Sequence, residues 1–203
     1  MTASVLVIAC GAIARELVRI RDMNRWDHIE FQCLPASLHN SPEKIPQAVT
    51  DKIDAESGNF EKIFVAYADC GTGGLLDKAL EHYPVERIPG AHCYEFYAGS
   101  DLFHQLAEEE PGSFYLTDFL TRHFERLVVQ GLGLDRNPSL LPAYFGNYRR
   151  VVYLAQTESD ALRTMAQAQA EYLGLEFEYR FTGDQPLNLL LKPALEEEQA
   201  CPN

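Results

Sequence analysis

The chain opens with an unbroken apolar run, Ser4–Ala9, in which polar positions do not alternate with apolar ones. A short run of this kind, closed by a glycine, reads as a strand covered on both faces. Gly11 follows, and from Ile13 to Arg21 the apolar spacing becomes helical. The same alternation then recurs. IEFQCL (29–34) predicts a second strand, and Ile45, Val49 and Ile53, four apart, predict a helix. KIFVAYA (62–68) is a third strand, Leu75 to Tyr83 a helix, and Glu86–Ile88 a short fourth strand. Strands alternating with helices predict a mostly parallel sheet flanked by helices, because parallel neighbours need a crossover of helix length.

Helical patterning dominates from Tyr94 to about Leu132, and LLPAYFGNY is irregular. Arg150–Ala155 returns as a strand and a helix runs from about Glu158 to Leu173, with Gly174 as its stop. LEFEYRFTG (175–183) alternates like an edge strand, and QPLNLLLKPALEEE docks through its leucines. No Pro/Gly/Ser linker and no repeat interrupts the chain. The expectation is an α/β fold, Rossmann-like or flavodoxin-like. It is one domain over residues 1–195 with room for two lobes, followed by an acidic, unstructured tail at 196–203.

Composition narrows the classes of partner. The 203 residues are 46% hydrophobic and 23% charged, ordinary for a soluble globular protein. The net charge of −13 repels phosphate backbones, so no nucleic-acid partner is expected. The basic stretch Arg19 to Arg25 reads as the solvated face of a helix. No apolar run approaches the roughly 18 residues of a membrane span, and the N-terminal segment lacks the basic start of a secretory signal. A cytoplasmic location is expected, where thiols stay reduced. Five cysteines, an odd number, argue further against a disulfide framework. Cys201 falls in the acidic tail.

The remaining cysteines are where chemistry would be built. Cys10, Cys33, Cys70 and Cys93 each lie at or just after the end of a strand-like run, and the carboxyl edge of a parallel sheet is where sites form. Cys10 precedes Gly11 at a strand-to-helix transition, where the helix dipole favours thiolate. Cys70 lies in Asp69-Cys70-Gly71-Thr72-Gly73-Gly74, a loop whose glycines let the backbone approach a ligand and whose following helix offers free N–H groups to an anion. Its spacing matches neither a Walker loop nor a dinucleotide fingerprint. Gly11, Asp69, Gly71, Thr72, Gly73 and Gly74 are therefore candidate ligand-binding residues.

His92, Cys93 and Glu95 are all of zinc- or iron-ligating type, although adjacent side chains point apart and only one of His92 and Cys93 is expected to face a given site. His39, on a loop after the second strand, and Glu95 are the candidates to act on or orient a ligand. Cys33 reads as core, and His28, His82 and His104 as surface. His123 lies five residues after Asp118, which is not a helical i,i+4 pair. There is no C-x-x-C pair and no G-x-S-x-G. The metal set Cys10, Cys70, His92 and Cys93 would thus be assembled by the fold alone. Three thiolates and a histidine suit zinc, with iron or an iron–sulfur cluster as the alternative. Two further readings stand beside a metal site: a non-catalytic module that binds a small anion, and an enzyme with a cysteine nucleophile.

VLVIACGAIARE, LPASLHNSPEKI, VAYADCGTGGLLD and IPGAHCYEFYAG, with GSFYLTDFLTRHFERLV, YFGNYRRVVYLAQT and LGLEFEYRFTG, together resemble the family catalogued as domain of unknown function 1638. The resemblance implies an association with corrinoid-dependent methyl transfer and one-carbon metabolism, and hence a corrinoid protein or methyltransferase as partner beside a small-molecule ligand. The chain lacks a D-x-H-x-x-G motif and is not expected to carry a base-off corrinoid itself. The expected function is a cytosolic zinc- or iron-binding protein, an enzyme or an enzyme's partner, in such metabolism.

Overall fold

The computed structural model describes residues 4–196; the tail at 197–203, with Cys201, lies outside the described residues. The architecture is α/β, with two parallel sheets flanked by helices. The first sheet contains β1 (Val5–Cys10), β2 (Ile29–Leu34), β3 (Lys62–Ala66) and the short β4 (Glu86–Arg87), in the order β2-β1-β3-β4. Every residue of β1 is buried, which is why its sequence has no polar alternation. The crossovers are α1 (Ala14–Asn24), α2 (Ile45–Glu56) and α3 (Leu75–Leu80), and α4 (Cys93–Ala98) and α5 (Ser100–Glu109) follow. β2 is an edge strand, so Cys33 is exposed rather than part of the core.

The second sheet contains β5 (Ser113–Thr117), β6 (Arg150–Ala155) and β7 (Glu176–Phe181), all parallel, with β6 central. β5 sits inside the stretch whose patterning predicted only helix. Pro111 and Gly112 break the helix there, and Thr117 caps the next one, α6 (Asp118–Arg122), by accepting the Leu120 N–H at 3.2 Å. A π-helical segment, Glu125–Gln130, then continues to α7 (Leu141–Phe145). Gly174, at φ 72°, ends α8 (Asp160–Leu173), as predicted.

The period of two along β6 joins the halves. Val152 and Leu154 point into the core built on β1, whereas Val151, Tyr153 and Ala155 point into a second core under α8. The final helix, α9 (Gln185–Leu195), returns to the first sheet. Leu187, Leu191 and Leu195, four apart, are buried in the first core, each contributing about 1.5–3 kcal/mol of transfer free energy. Arg19 clamps the entry of α9 by donating to both oxygens of Asp184, at 2.6 and 2.7 Å. The basic face of α1 is therefore partly a docking surface rather than wholly solvated. Among the described residues no helix is long and apolar enough to cross a membrane.

Candidate metal centre

Four loops leave the carboxyl edge of the first sheet, and three of them bring a soft donor to one point. Cys10 ends β1, and its Sγ accepts the Ala12 N–H at 3.3 Å as the chain turns into a short 3-10 segment. Gly11 beside it is needed for close packing, since a Cβ there would meet the Leu34 carbonyl oxygen at 3.1 Å. Pro35 ends β2 and starts a 3-10 turn, Ala36–Asn40, that folds His39 back over the sheet. Its Nδ1 lies 3.1 Å from the Ala36 carbonyl and 3.7 Å from Cys10 Sγ.

Beyond β3 the chain stays bound to the chain beyond β4. Asp69 N–H donates to Gly90 O and Cys70 N–H to Ala91 O, both at 3.0 Å. This pairing carries Cys70 to the start of α4, where Cys93 stands. Cys70 sits in the left-handed region at φ 50°, an uncommon conformation for a residue with a Cβ. The loop that follows holds the bend. Asp69 accepts from Thr72 Oγ1 at 2.6 Å, Gly73 N at 3.0 Å and Gly74 N at 2.7 Å. Those bonds, the Thr72 hydroxyl first, hold the Asp69 carboxyl below its ordinary value. Asp69, Gly71, Thr72, Gly73 and Gly74 thus position Cys70, and the two amides expected to cradle an anion are taken by the loop's own carboxylate.

The outcome is a cluster of His39, Cys70 and Cys93 whose ligating atoms all lie within 4.8 Å of one another. Tetrahedral zinc, with bonds near 2.0–2.3 Å, holds its ligands about 3.5–3.8 Å apart, so a closing movement of about 1 Å would complete such a site. Cys10 touches the cluster through His39 and is not one of the three. His92 is outside it: exposed, at the cap position of α4, with Cys93 as the residue that turns inward. Glu95 is also outside. It accepts from Ser100 Oγ at 2.8 Å and lines a separate groove against α9.

Electrostatics makes the cluster a distinct chemical unit. The Cys70 thiol is brought down to about 5, first by the hydrogen bond from Cys93 and then by His39, against the cost of burial. Cys93 is pushed well up by the same hydrogen bond and by burial. Burial alone would lower His39, but its contacts with Cys10 and Cys70 outweigh this and raise it to about 11. Two polar atoms beside the thiols are left over. His39 Nε2 and the hydroxyl of Tyr67 are both buried without a hydrogen-bond partner among the described residues. Burial, then the charges of Cys10 and Cys70, pushes the Tyr67 hydroxyl up. Buried polar groups are rarely left unpaired in native proteins.

Next to the cluster is a cavity of about 240 Å³. His39, Asn40, Cys93 and Tyr94 form its wall on the first sheet's side, and Phe119 and Leu127 belong to the wall from the second half. Asn40 spans the two, donating to Leu127 O at 3.3 Å. Gly131 leaves the room this requires, since a Cβ there would lie 2.5 Å from Asn40 Nδ2. Neither Tyr67 nor Asn40 stands out in the sequence. The only hint is their position, three residues before Cys70 and one after His39.

A family model described as Protein of unknown function (DUF1638) matches residues 33–191, most of the chain. The chain belongs to that family. The matched span carries His39, Cys70 and Cys93, and Cys10 precedes it. No curated protein and no solved structure matches the chain.

Proposed function

We propose that this member of the family is a metal protein in which His39, Cys70 and Cys93 hold a single zinc ion, or iron, and that the metal activates a small ligand seated in the adjoining cavity. The observation that carries the reading is the convergence of three soft donors within 4.8 Å beside two buried, unpaired polar atoms. The donor chemistry fits. The Cys70 thiol already favours the thiolate, and a metal ion would displace the proton that the metal-free cluster holds on His39, leaving an imidazole nitrogen as a donor. Two cysteines and one histidine are the ligand set of a catalytic rather than a closed structural zinc site, because a fourth position stays open. Zinc so held lowers the pKa of a neighbouring thiol or water. His39 and Cys93 line the cavity, so a ligand there would lie against the metal.

Activation of a thiol by zinc suits alkyl transfer, and we extend the reading to an enzyme, or an enzyme's partner, in corrinoid-linked methyl transfer in the cytoplasm. A second reading takes Cys70 as a nucleophile paired with His39, and the depressed thiol supports it. A nucleophile needs one thiol and one base, however, and does not call for a third donor within 4.8 Å of both.

Metal analysis of anaerobically purified protein separates the two. About one equivalent of zinc or iron is expected, lost in Cys70→Ser, whereas less than about a tenth of an equivalent removes the metal reading.

A further inference from the structure

The wall of the cavity beside the cluster divides sharply by chemistry. His39 and Cys93, two of the three donors of the cluster, bring soft, ligating groups to it. Phe114, Phe119, Leu132 and Phe145 supply aromatic and aliphatic surface, and the Phe114 and Phe145 rings meet edge to face with centroids 5.2 Å apart. Among the described residues, no aspartate, glutamate, lysine or arginine side chain lines the cavity, in a chain that carries 30 acidic and 17 basic residues.

The other polar side chains on the wall are engaged by the fold. Tyr97 Oη donates to Ala12 O at 3.1 Å, Thr117 Oγ1 accepts the Leu120 N–H at 3.2 Å, and Asn40 Nδ2 donates to Leu127 O at 3.3 Å. His39 Nε2, by contrast, is buried without a partner among the described residues. The volume, about 240 Å³, exceeds the roughly 150 Å³ of a dry apolar cavity that takes up one benzene, and falls below the roughly 300–1,000 Å³ of sites for drug-sized ligands. One ring, or a branched chain of about five carbons, suits such a space. A charge carried a few bonds from a sulfur atom at His39 and Cys93 would sit among these apolar side chains without a counter-ion, and an unpaired charge taken out of water is costly.

We propose that the cavity takes a small uncharged thiol, its apolar body packed among Tyr94, Phe119 and Leu132 and its sulfur at the open position of the metal. The sulfur contact rests on the metal reading given above, whereas the preference for an uncharged, apolar body rests on the lining alone. A soft sulfur donor suits a zinc ion already held by cysteines.

Calorimetric titration at about 0.5 M salt, where repulsion by the acidic surface is screened, compares three probes. They are 3-methylbutane-1-thiol, its near-isostere 3-mercaptopropionate, and 3-methylbutan-1-ol, each added to metal-free and to cobalt(II)-loaded protein. The thiol is expected to bind loaded protein roughly tenfold or more tightly than 3-mercaptopropionate and to shift the cobalt absorption. The alcohol is expected to bind both forms of the protein alike. Leu132→Trp and Phe119→Trp, two independent ways of filling the cavity, are expected to weaken thiol and alcohol together while the cobalt band stays that of the wild type. Equal or tighter binding of 3-mercaptopropionate, failure of the alcohol to bind either form, or undiminished binding in the folded variants overturns the assignment. A thiol that binds no more tightly than the alcohol and leaves the cobalt band unmoved overturns the sulfur contact and leaves the apolar site standing. Protein that takes up no cobalt, yet binds the alcohol in a way that Leu132→Trp or Phe119→Trp weakens, overturns the metal reading and the sulfur contact with it, and again leaves the apolar site standing.

Discussion

The two parallel sheets present the same kind of edge, and the main polar cluster at each is handled differently, although Thr121 Oγ1, one turn after Asp118, also lacks a partner among the described residues. At the carboxyl end of β5, the buried carboxylate of Asp118 accepts from Tyr153 Oη at 2.7 Å, Gln156 N at 3.1 Å and Thr157 Oγ1 at 2.5 Å. Its own N–H donates to Gln156 Oε1 at 2.9 Å. The donors around that carboxylate are spent within the fold. At the carboxyl end of the first sheet, two thiols and a histidine crowd together, with the Cys10 thiol 3.7 Å from that histidine, while His39 Nε2 and the Tyr67 hydroxyl go unpaired. A satisfied network holds a structure together, whereas an unsatisfied one is completed by something that binds. The comparison assigns stability to one edge and chemistry to the other.

The contrast is broken most severely at Asp118. Asp118→Ala leaves the Tyr153 hydroxyl and the Gln156 amide without their acceptor in a dry interior. It should cost about 3–4 kcal/mol by denaturant unfolding. Cys93→Ala, at the other edge, should cost less, about 1.5–3 kcal/mol in metal-free protein, because it removes one hydrogen bond to the Cys70 thiolate rather than a network. If Cys93→Ala proves the more damaging in metal-free protein, the division between the edges is wrong.

Zinc reverses that ranking. Excess zinc should raise the melting temperature of the wild type by several degrees, since a ligand at about 100 times its dissociation constant adds roughly 2.7 kcal/mol. Cys70→Ser and Cys93→Ser should lose most of that gain, and Asp118 variants that still fold should keep it.

The pH response of metal-free protein sharpens the contrast further. The Cys70 thiol is depressed in the fold, so its contribution to stability is present above the ordinary thiol range, near 8.5, and is lost as pH falls through about 5. His39 is raised, so its contribution is full below about 6.5 and is lost as pH rises through about 11. Thiolate absorbance followed against pH should show one thiolate appearing near 5, absent from Cys70→Ser. The smallest expected effect is at the α9 clamp. Asp184→Asn removes a partly exposed ion pair while Arg19 keeps its bond to buried Glu16, and it should cost about 1 kcal/mol, with zinc binding unchanged.

Much of the fold was legible because its signals are local. β2 and β6 lie at the residues their patterns predicted, and the buried run of β1 is as apolar as a central parallel strand requires. β5 was not, because three apolar residues between a Pro-Gly break and a helix cap read as one more turn of helix. For the site, strand-end position marked Cys10, Cys70 and Cys93 correctly as neighbours of one edge. The choice between His39 and His92 depends on where the backbone turns. The 3-10 turn after β2 folds His39 inward, and the first turn of α4 leaves His92 in solvent, neither of which spacing encodes. Tyr67 was hidden for a similar reason, since a tyrosine in a strand looks like core until its hydroxyl is seen to have no partner.

Titration of anaerobic, metal-free protein with cobalt(II), followed by its thiolate-to-cobalt absorption and by displacement with zinc, measures the central claim directly. Expected is an intense band that saturates at about one equivalent, is bleached by zinc, and is absent from Cys70→Ser/Cys93→Ser. A wild-type protein that develops no thiolate–cobalt band, or a double variant that develops the same one, would contradict a metal centre built on His39, Cys70 and Cys93.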